Sequence, residues 1–573
     1  MTVHNAEIAE MFDRMAILLE IQGANPFRVR AYRNAARTLG GLPRSVSDML
    51  CEGEDLSKLP DIGKDLAGKI ADIVETGQFA ALRDVEREVP AGLVELTRLP
   101  GLGATRVRVL YEELGVSDIG GLRRAAKSQR IRELRGFGAK TEQRILDALS
   151  RRAQEERRYK LADVEPIANS YVRYLEAIPG VKEVIVAGSY RRRKETVGDL
   201  DILVTCEKGS PVMETFVEYD EVDAVVSKGT TRSTVLLRSG LQVDLRVVAQ
   251  VSYGAALYYF TGSKAHNIAV RTIAVKKKLK INEYGVFKGK RRVAGATETE
   301  VFKAVGLHYI EPELREDRGE IEAARKNRLP HLVSVGDVRG DLHVHTTATD
   351  GRHSLKRMAE AAKELGYEYL AITDHSKRVV VAHGMDEKRL RKQLAAIDRL
   401  NEELRGVRVL KGVEVDILES GKLDLSDSIL EQLDLTVCAI HTGLGLSRER
   451  QTERIIRAMD NPHFTILAHP TGRLINQRAA CDVDMERVMQ AALERGCYLE
   501  LNAQPDRLDL DDAHCRMAKD MGLKLAISTD AHTADNLSYM RFGVDQARRG
   551  WLEPEDVLNT RSWRKLQKLL VRL

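Results

Sequence analysis

The 573-residue chain lacks the features of an exported or membrane protein. No stretch approaches the ~18 consecutive apolar residues of a membrane span. The N-terminal segment MTVHNAEIAEMFDRM has acidic residues and no long apolar core, unlike a secretory signal. The six cysteines are scattered without a C-x-x-C pair, which argues against a disulfide framework and favours reduced thiols in the cytoplasm.

Aromatic residues and net charge are also scarce. Aromatic residues make up 5% of the chain, so recognition of bases cannot depend on many stacking platforms. The net charge of +5 is small for this length, so any contact with nucleic acid must come from local basic clusters. With 43% hydrophobic and 31% charged residues, the chain is expected to be globular.

The hydrophobic pattern changes along the chain and predicts several domains. Residues 1–150 contain short amphipathic stretches broken by Gly and Pro, and residues 181–250 alternate with the period of strands. Residues 313–336 are polar and are expected to form a helical linker. After Arg339, strand-like and helical segments alternate, which predicts a parallel sheet or a (β/α) barrel of seven strands.

Three segments of the first region share one pattern: LPDIGKDLAGKI (59–70), LPGLGATRVRVL (99–110) and LRGFGAKTEQRI (134–145). Each places a glycine turn before a helix start, where backbone N–H groups and the helix dipole suit a phosphate. One copy could simply join two packed helices, but three copies favour binding of DNA phosphates. They resemble helix-hairpin-helix motifs, although Asp61 replaces a usual glycine. The candidate DNA contacts are Gly63, Lys64, Gly101, Gly103, Arg106, Gly136, Gly138 and Lys140.

The strongest local motif is GSYRRRKETVGDLDILV at residues 188–204. On a strand, Asp199 and Asp201 point to one face, and Asp244 in LQVDLRVV alternates with apolar residues. Three carboxylates on neighbouring strands can hold two Mg²⁺ or Mn²⁺ ions, which stabilise both oxygens of an in-line displacement. The backbone of Gly188 and Ser189 could hold a triphosphate. Two surface aspartates beside a solvated basic loop are the alternative interpretation.

These motifs and YFTGSKAHNIAVR (259–271) resemble the family X DNA polymerases, the group of polymerase beta, from about residue 5 to about residue 315. The resemblance implies a nucleotidyltransferase palm with Asp199, Asp201 and Asp244 as metal ligands. It implies that Arg271 contacts the template strand, whereas Lys264 departs from the family and could bind the nucleotide before metal arrives. The implied nucleotide-binding residues are Ser189, Arg192, Gly198, Tyr259, Phe260, Thr261, Gly262 and Asn267.

The same resemblance raises the question of lyase activity. Lys69 matches the lysine that forms a Schiff base with an abasic sugar in vertebrate relatives, and Arg28 and Tyr32 match the 5′-phosphate pocket. Such a lysine needs a depressed pKa, from burial or from neighbouring cations. The alternative is an ordinary solvated lysine on a helix.

Ten histidines lie between residues 343 and 532, and several of them end apolar strands. The carboxyl ends of strands are where barrel enzymes place their chemistry, and imidazoles with carboxylates suit Zn²⁺, Mn²⁺ or Fe²⁺. Any one of these histidines could be a core residue, and His353, His383, His463 and His514 are assigned to that group.

The C-terminal part resembles the polymerase and histidinol phosphatase (PHP) domain over about residues 338–570. The resemblance implies up to three ions, expected to be Mn²⁺ or Zn²⁺. The first would use His343, His345, Glu414 and Asp530. The second would use Glu414, His441 and His469, and the third Asp350, His375 and His532, with Asp350 standing where some relatives have a histidine.

The two resemblances together divide the chain and predict its function. The expected domains are helix-hairpin-helix domains at 1–85 and 86–158, a palm at 159–250, a thumb-like domain at 251–315, a linker at 316–338 and the PHP domain at 339–573. We expect a monomeric bacterial repair polymerase that fills gaps in nicked or gapped primer-template DNA with dNTPs, and an attached 3′–5′ exonuclease. Abasic-site endonuclease and 3′-phosphatase activity remain open. The alternatives are a DNA-tethered PHP phosphatase without polymerase activity and a scaffold without catalysis.

Overall fold

The computed structural model describes residues 5–41, 46–51, 53–90, 92–97, 99, 102–155 and 158–570. The chain divides into two compact units, Met1–Arg157 and Arg158–Leu573. None of the helices in these described ranges combines the length and apolar character that a membrane span requires.

The first unit is helical throughout its described part. Its apolar residues recur at helical spacing and form one core cluster, in which the rings of Phe12, Tyr32 and Phe79 pack with centroids 5.3–6.2 Å apart. The α-helices are Asn5–Ile21, Pro26–Gly41, Val46–Cys51, Lys64–Thr76, Ala80–Glu88, Gly92–Thr97, Ala104–Leu114, Ile119–Lys127 and Ala139–Glu155, with short 3-10 helices at Leu56–Lys58 and Ile131–Glu133.

The second unit begins with a mixed sheet, as the period-two pattern predicts. Its strands are β1 (Tyr159–Lys160), β2 (Val181–Val186), β3 (Thr196–Val197), β4 (Asp199–Cys206), β5 (Val222–Lys228), β6 (Arg232–Leu237) and β7 (Gln242–Val247). The main sheet has the order β2-β4-β7-β6-β5, in which only β4 and β7 are parallel neighbours. The helix Leu161–Glu176 supplies apolar residues to the cluster on this sheet, and the helices Gly188–Arg191 and Val212–Phe216 lie in its connections.

A helical segment with a small antiparallel sheet follows the palm-like sheet. It contains the helices Tyr253–Thr261, Lys264–Lys276 and Glu298–Ala304 and the strands β8 (Lys280–Asn282), β9 (Gly285–Lys288) and β10 (Arg291–Ala294). The predicted helical linker is α-helical only over Glu320–Arg325, and it is packed: Glu320 is fully buried and receives hydrogen bonds from the N–H groups of Asp317 and Arg318. Ala324 and Leu332 belong to the same apolar cluster as the preceding helices.

The C-terminal part consists of parallel strands alternating with helices. The strands are β11 (Gly340–Val344), β12 (Tyr369–Ile372), β13 (Arg408–Lys411), β14 (Glu414–Asp416), β15 (Val437–Ala439), β16 (Ile466–Leu467), β17 (Tyr498–Asn502) and β18 (Leu525–Ser528). They form sheets β11-β12-β13 and β14-β15-β16-β17-β18. The seven predicted strands are all present, but RVLKGVEV is divided at Gly412–Val413 into β13 and β14. A parallel bridge between Val344 and Ala531 joins β11 to the residues after β18.

Helices cover these strands and bury their apolar faces against them. The apolar residues of the strands and helices form the largest core cluster of the described chain. The α-helices are Leu355–Glu364, Glu387–Glu403, Asp427–Leu430, Arg448–Ala458, Met485–Arg495, Asp512–Met521, Met540–Arg549 and Trp563–Leu570, with 3-10 helices at Pro312–Leu314, Val335–Asp337, Val380–Ala382, Ala534–Tyr539, Pro554–Asp556 and Leu558–Thr560.

Candidate active sites

The glycine turns of the first unit leave open space at the starts of the helices that follow them. Gly63 and Gly103 are the N-caps of their helices and provide no side-chain cap, and a Cβ atom at either would meet no atom within 4 Å. Gly136 has φ +86°, and Asp61, at the matching place of the first copy, has φ +59°. Aspartate is one of the few residues that tolerate this left-handed conformation, so the first turn keeps its shape.

The other predicted contacts in these turns remain predictions. A Cβ atom at Gly138 would likewise meet no atom within 4 Å, Lys64 begins its helix, and Lys140 lies in the first turn of Ala139–Glu155. Gly101 lies outside the described residues.

The three aspartates of the palm-like sheet lie together at one edge. Asp201 and Asp244 are directly paired in register between the parallel strands β4 and β7, and Asp199 is two residues before Asp201 on the same face. Asp244 is buried, with 5% of its surface exposed, and it accepts hydrogen bonds from Thr234 and from Gln242 at 2.9 Å. Its carboxylate is therefore held in a fixed orientation.

The electrostatics of this edge favour a divalent cation. Burial, together with the negative charges of Asp199 and Asp244, raises the pKa of Asp201 to about 7. Arg232 offsets part of this charge, because its guanidinium lies 3.3 Å from Asp244. Clustered carboxylates that repel one another are the donors that Mg²⁺ or Mn²⁺ requires, so this donor set fits the predicted metals.

The loop after β2 carries the predicted triphosphate residues close to Asp201. The N–H of Ala187 donates to the carbonyl of Asp201 at 2.7 Å, and Gly188, with φ +62°, lies against the Asp201 carboxylate. Ser189 follows in the short helix Gly188–Arg191 and is half-buried. Gly198 directly precedes Asp199 at the start of β4.

Arg192 links this loop to the segment around Gly262. Its guanidinium donates to the carbonyl oxygen of Thr261 and to Glu316 at 3.0 Å, and a Cβ atom at Gly262 would lie 3.1 Å from its Nη1 atom. Gly262 itself has φ +68°, a conformation that favours glycine. Arg191 instead pairs with Glu298 at 2.7 Å, so it has a structural contact and is not free for a nucleotide.

The remaining predicted nucleotide and template residues lie on two consecutive helices. Tyr259 and Phe260 are half-buried at the end of Tyr253–Thr261, and Asn267 is buried and donates to the carbonyl of Tyr259 at 2.8 Å. Lys264 and Arg271 are exposed on Lys264–Lys276.

Lys69 does not have the depressed pKa that lyase chemistry requires. Burial alone would lower its pKa, but the hydrogen bond to Asp65 at 2.6 Å and the nearby Tyr32 outweigh burial and raise it. Its Nζ atom lies 5.5 Å from the centre of the Tyr32 ring, and Arg28 is exposed on the helix Pro26–Gly41. Lys69 and Tyr32 therefore lie close to each other, and the lyase assignment stays a prediction.

The predicted histidine and acidic residues of the C-terminal part converge at the carboxyl ends of its strands. Glu414 lies at the centre and is buried: its carboxylate is 3.5 Å from Nε2 of His343, 2.8 Å from Nδ1 of His375, 3.3 Å from Nε2 of His441 and 3.1 Å from Nε2 of His469. One carboxylate surrounded by imidazoles is the geometry of a bridging metal ligand.

These side chains form three groups, and within each group the donor atoms lie within 4.8 Å of one another. The groups differ slightly from the predicted assignment of ligands to three ions. His345 belongs to two of the groups, because its ring lies between those of His375 and His532, 4.5 Å and 4.3 Å away. The groups are His343, His345 and Asp530; His375, Glu414 and His441; and His345, Asp350, His375 and His532.

Donor atoms in this centre are buried without a hydrogen-bond partner in the described part of the chain. They are Nε2 of His343, both ring nitrogens of His345, Nδ1 of His375 and Oε2 of Glu414. A buried polar atom without a partner costs about 1–3 kcal/mol, so several such atoms close together fit a site that binds metal ions. The donor set of imidazoles and carboxylates fits Zn²⁺ or Mn²⁺.

Carboxylates that the sequence analysis missed orient the metal-binding rings. Glu500 lies 2.8 Å from Nδ1 of His343, and Asp416 lies 2.9 Å from Nδ1 of His441, which fixes the ring tautomers. Glu500 is a lone acid inside the otherwise apolar strand CYLELNA, and Asp416 lies two residues after Glu414 in GVEVD; both patterns could have identified them. The sequence analysis also missed Arg246, whose guanidinium lies 4.2 Å from the centre of the ring of Phe260, a predicted nucleotide-binding residue.

The four histidines that were expected to be core residues are not in these groups, but that expectation is wrong in one respect: none of the four is fully buried. His353 accepts a hydrogen bond from the N–H of Ala534 at 2.9 Å, and His514 pairs with Asp511 at 3.0 Å. His383 is exposed, and His463 lines a surface cavity at the opposite, amino-terminal ends of the strands.

Five models of known protein families match parts of the chain. The matching families are a helix-hairpin-helix domain (residues 3–79), a SAM-like helix-hairpin-helix tandem (93–151), the DNA polymerase beta palm (161–249), the DNA polymerase beta thumb (256–316) and the PHP domain (341–504).

Three relatives cover different parts of the chain. The DNA polymerase/3′-5′ exonuclease PolX of Bacillus subtilis is 38% identical over the full length of both chains. DNA polymerase lambda of Rattus norvegicus is 26% identical over 55% of this chain and 57% of its own. A probable phosphatase of a Thermoanaerobacter species is 29% identical over 38% of this chain and 89% of its own.

Fold and sites define a nucleotidyltransferase joined to a PHP domain, with three candidate metal-binding aspartates on β4 and β7 of the first part and groups of candidate histidine and acidic ligands in the second. The full-length identity specifies the family further: the chain belongs to the PolX group of family X DNA polymerases that carry a C-terminal PHP domain.

Proposed function

We propose that the protein is a DNA-directed DNA polymerase with a 3′–5′ exonuclease in the same chain. The observation that carries this proposal is the presence of two separate sets of candidate metal ligands. One is the carboxylate triad of β4 and β7, and the other is the imidazole cluster around Glu414. The full-length similarity to a protein with both activities in its name supports the pairing.

In the palm-like sheet, we assign Asp199, Asp201 and Asp244 to metal binding. Bound Mg²⁺ or Mn²⁺ would neutralise the phosphates and stabilise the attacking and leaving oxygens. The chain's own groups supply positioning: Gly188 and Ser189 offer backbone and hydroxyl donors, and Arg192 offers a planar cation. Gly198, Tyr259, Phe260, Gly262 and Asn267 would surround the dNTP, Lys264 would reach its phosphates or base, and Arg271 would contact the template.

In the PHP domain, we assign the residues around Glu414 to binding of up to three ions, expected to be Mn²⁺ or Zn²⁺. Such ions supply a hydroxide nucleophile at neutral pH and polarise the phosphate. Glu500 and Asp416 hold the ring orientations of His343 and His441. Because this site shares a chain with a polymerase, a DNA 3′ end is the natural substrate. The candidate ligands are His343, His345, Asp350, His375, Glu414, His441, His469, Asp530 and His532.

We further propose that the substrate is gapped or nicked duplex DNA in repair. The open turns at Gly63, Gly103 and Gly136 support this proposal, because they leave room for backbone contacts to DNA phosphates, which do not depend on base sequence. We expect the protein to act as a monomer in the cytoplasm. Abasic-site endonuclease, 3′-phosphatase and lyase activities are secondary candidates, and the raised pKa of Lys69 weighs against the lyase.

The test uses a duplex with a one-nucleotide gap and a labelled primer 3′ end, in Mg²⁺ or Mn²⁺, with and without dNTPs. Extension with dNTPs and trimming without them is the expected result. A small aromatic phosphate monoester, assayed in parallel, examines the alternative of a DNA-tethered phosphatase. Hydrolysis of the monoester without extension or trimming of DNA would contradict the proposal and favour that alternative.

A further inference from the structure

The loop that follows Ser189 is held from outside by the PHP domain. Arg549, at the end of the helix Met540–Arg549, donates from Nη1 to the carbonyl oxygen of Arg192 at 2.8 Å. The next residue, Arg193, lies 2.6 Å from Asp545 of the same helix. Two residues later, Glu195 lies 2.6 Å from Arg473. The PHP domain therefore contacts the nucleotide loop at three positions within four residues.

A second route connects Arg549 to the same arginine through Glu316. A single oxygen of Glu316, Oε1, lies 3.0 Å from Nε of Arg192 and 3.1 Å from Nη1 of Arg549. Burial would raise the pKa of Glu316, but Arg192 and Arg549 outweigh it and lower that pKa, so the carboxylate is charged at neutral pH. The side chain of Arg549 is only 2% exposed.

These contacts determine the orientation of the Arg192 guanidinium. The group is planar, and two of its donors are already directed, one to Glu316 and one to the carbonyl of Thr261. Without Arg549, Glu316 would lose one of its two cations and the backbone at Arg192 would lose its hydrogen bond. The carboxylate and the arginine would then be free to reorient together.

We infer that Arg549 of the PHP domain is a positioning residue for the polymerase. Through Glu316 and the Arg192 carbonyl, it holds the Arg192 guanidinium where the triphosphate of the incoming nucleotide binds. This inference rests on the proposed polymerase function. If Arg549 acts in this way, the affinity of the polymerase for dNTPs depends on a residue of the exonuclease domain. Arg549 does not itself touch the nucleotide.

The test compares Arg549→Ala with Arg548→Ala in the full-length protein. Arg548 is the matched control, because it lies on the same helix and pairs with Glu313 at 2.7 Å, away from the Arg192 loop. Steady-state extension of the gapped duplex gives KM for dNTP and kcat separately, and trimming without dNTPs reports on the PHP site. We expect Arg549→Ala to raise KM about tenfold, the size of one lost charge-assisted hydrogen bond, with little change in kcat or trimming. Arg548→Ala should leave KM unchanged.

Two further variants separate positioning from general stability. Arg549→Lys can reach Glu316 or the Arg192 carbonyl with one ammonium and should restore part of the dNTP affinity. Glu316→Gln keeps the acceptor but removes its charge, so it should raise KM, though less than Arg549→Ala does. It also serves as the test if Arg549→Ala does not fold. An unchanged KM in Arg549→Ala, or in Glu316→Gln if the former does not fold, would overturn the inference. Absence of extension by the wild type would instead contradict the proposed function.

Discussion

Gly188→Ala should damage the polymerase site through contact with a metal ligand. A Cβ atom at this position would lie 2.8 Å from Oδ2 of Asp201, and ordinary contact begins at about 3.4 Å. The carboxylate would have to move by roughly 0.6 Å. Mg²⁺ demands near-ideal octahedral geometry, and a displacement of about 1 Å in an active site costs on the order of 100-fold in rate. We therefore expect a loss of about 10- to 100-fold in the extension rate.

Backbone strain is the second effect of this substitution, and it can be controlled. Gly188 has φ +62°, so alanine would add about 1–2 kcal/mol of strain. Gly209 is the matched control, because it has φ +89° but a Cβ atom there would meet nothing within 4 Å. Gly209→Ala should show the same strain and the same shift of the unfolding midpoint, with normal extension.

The assay is single-turnover extension of a one-nucleotide gap with saturating dNTP and Mg²⁺. Trimming by the PHP site, measured on the same preparation, should be unchanged in both variants. If Gly188→Ala extends within about twofold of Gly209→Ala, Asp201 is not held against this loop as described, and the reasoning fails.

Further predictions concern the PHP centre, the helical first unit and Lys264 at the start of the helix Lys264–Lys276. Glu414→Gln should lower the bound-metal content measured by mass spectrometry, because its carboxylate faces five imidazoles of the centre. Unchanged metal stoichiometry would contradict the proposed bridging role. Glu500→Gln should slow trimming about 10- to 100-fold while leaving extension intact, since it orients His343, and equal loss of both activities would indicate a fold defect instead. Glu142→Ala should destabilise the first unit by about 1–3 kcal/mol in urea unfolding, because the buried N–H of Ile131 and the part-buried N–H of Arg132 lose their acceptor. Replacement of the exposed Glu133 by alanine should have little effect. Lys264→Ala should weaken dNTP binding measured without divalent metal, and unchanged affinity would eliminate that role.

The palm-like sheet shows how much local pattern can predict. Alternation with period two placed Asp199 and Asp201 on one face, and the structure pairs Asp201 with Asp244 across parallel strands. The strand-end histidines were predictable for a similar reason, since carboxyl ends of parallel strands meet at one edge. Both sites depend on short-range periodicity, which the sequence displays directly.

Contacts between distant residues were not predictable in this way. Arg193 pairs with Asp545, and Arg192 meets Arg549 through Glu316, across more than 300 residues of chain. Each of these charges is indistinguishable in the sequence from a solvated surface residue. The sequence RRRK therefore does not reveal that Arg191 is paired with Glu298 and Arg193 with two acids of the surrounding fold.

Burial and local pairing explain two other differences between the sequence-based expectations and the structure. The polar composition of residues 313–336 indicated a solvated linker, but Glu320 is buried beside His266, with its carboxylate 2.6 Å from Nδ1 of the ring. The lone Lys69 suggested a Schiff-base residue, but the i, i+4 pairing with Asp65 raises its pKa. In both cases tertiary or local partners determine the role, and composition does not reveal them.

The central claim is that one chain contains two independent metal-dependent sites for opposite reactions at a DNA 3′ end. The most direct measurement follows extension and trimming of one labelled gapped duplex by two double variants, Asp199→Ala/Asp201→Ala and His343→Ala/His345→Ala. The account predicts that the first loses extension only and the second loses trimming only. Loss of both activities in either variant, with the fold intact, would contradict two independent sites.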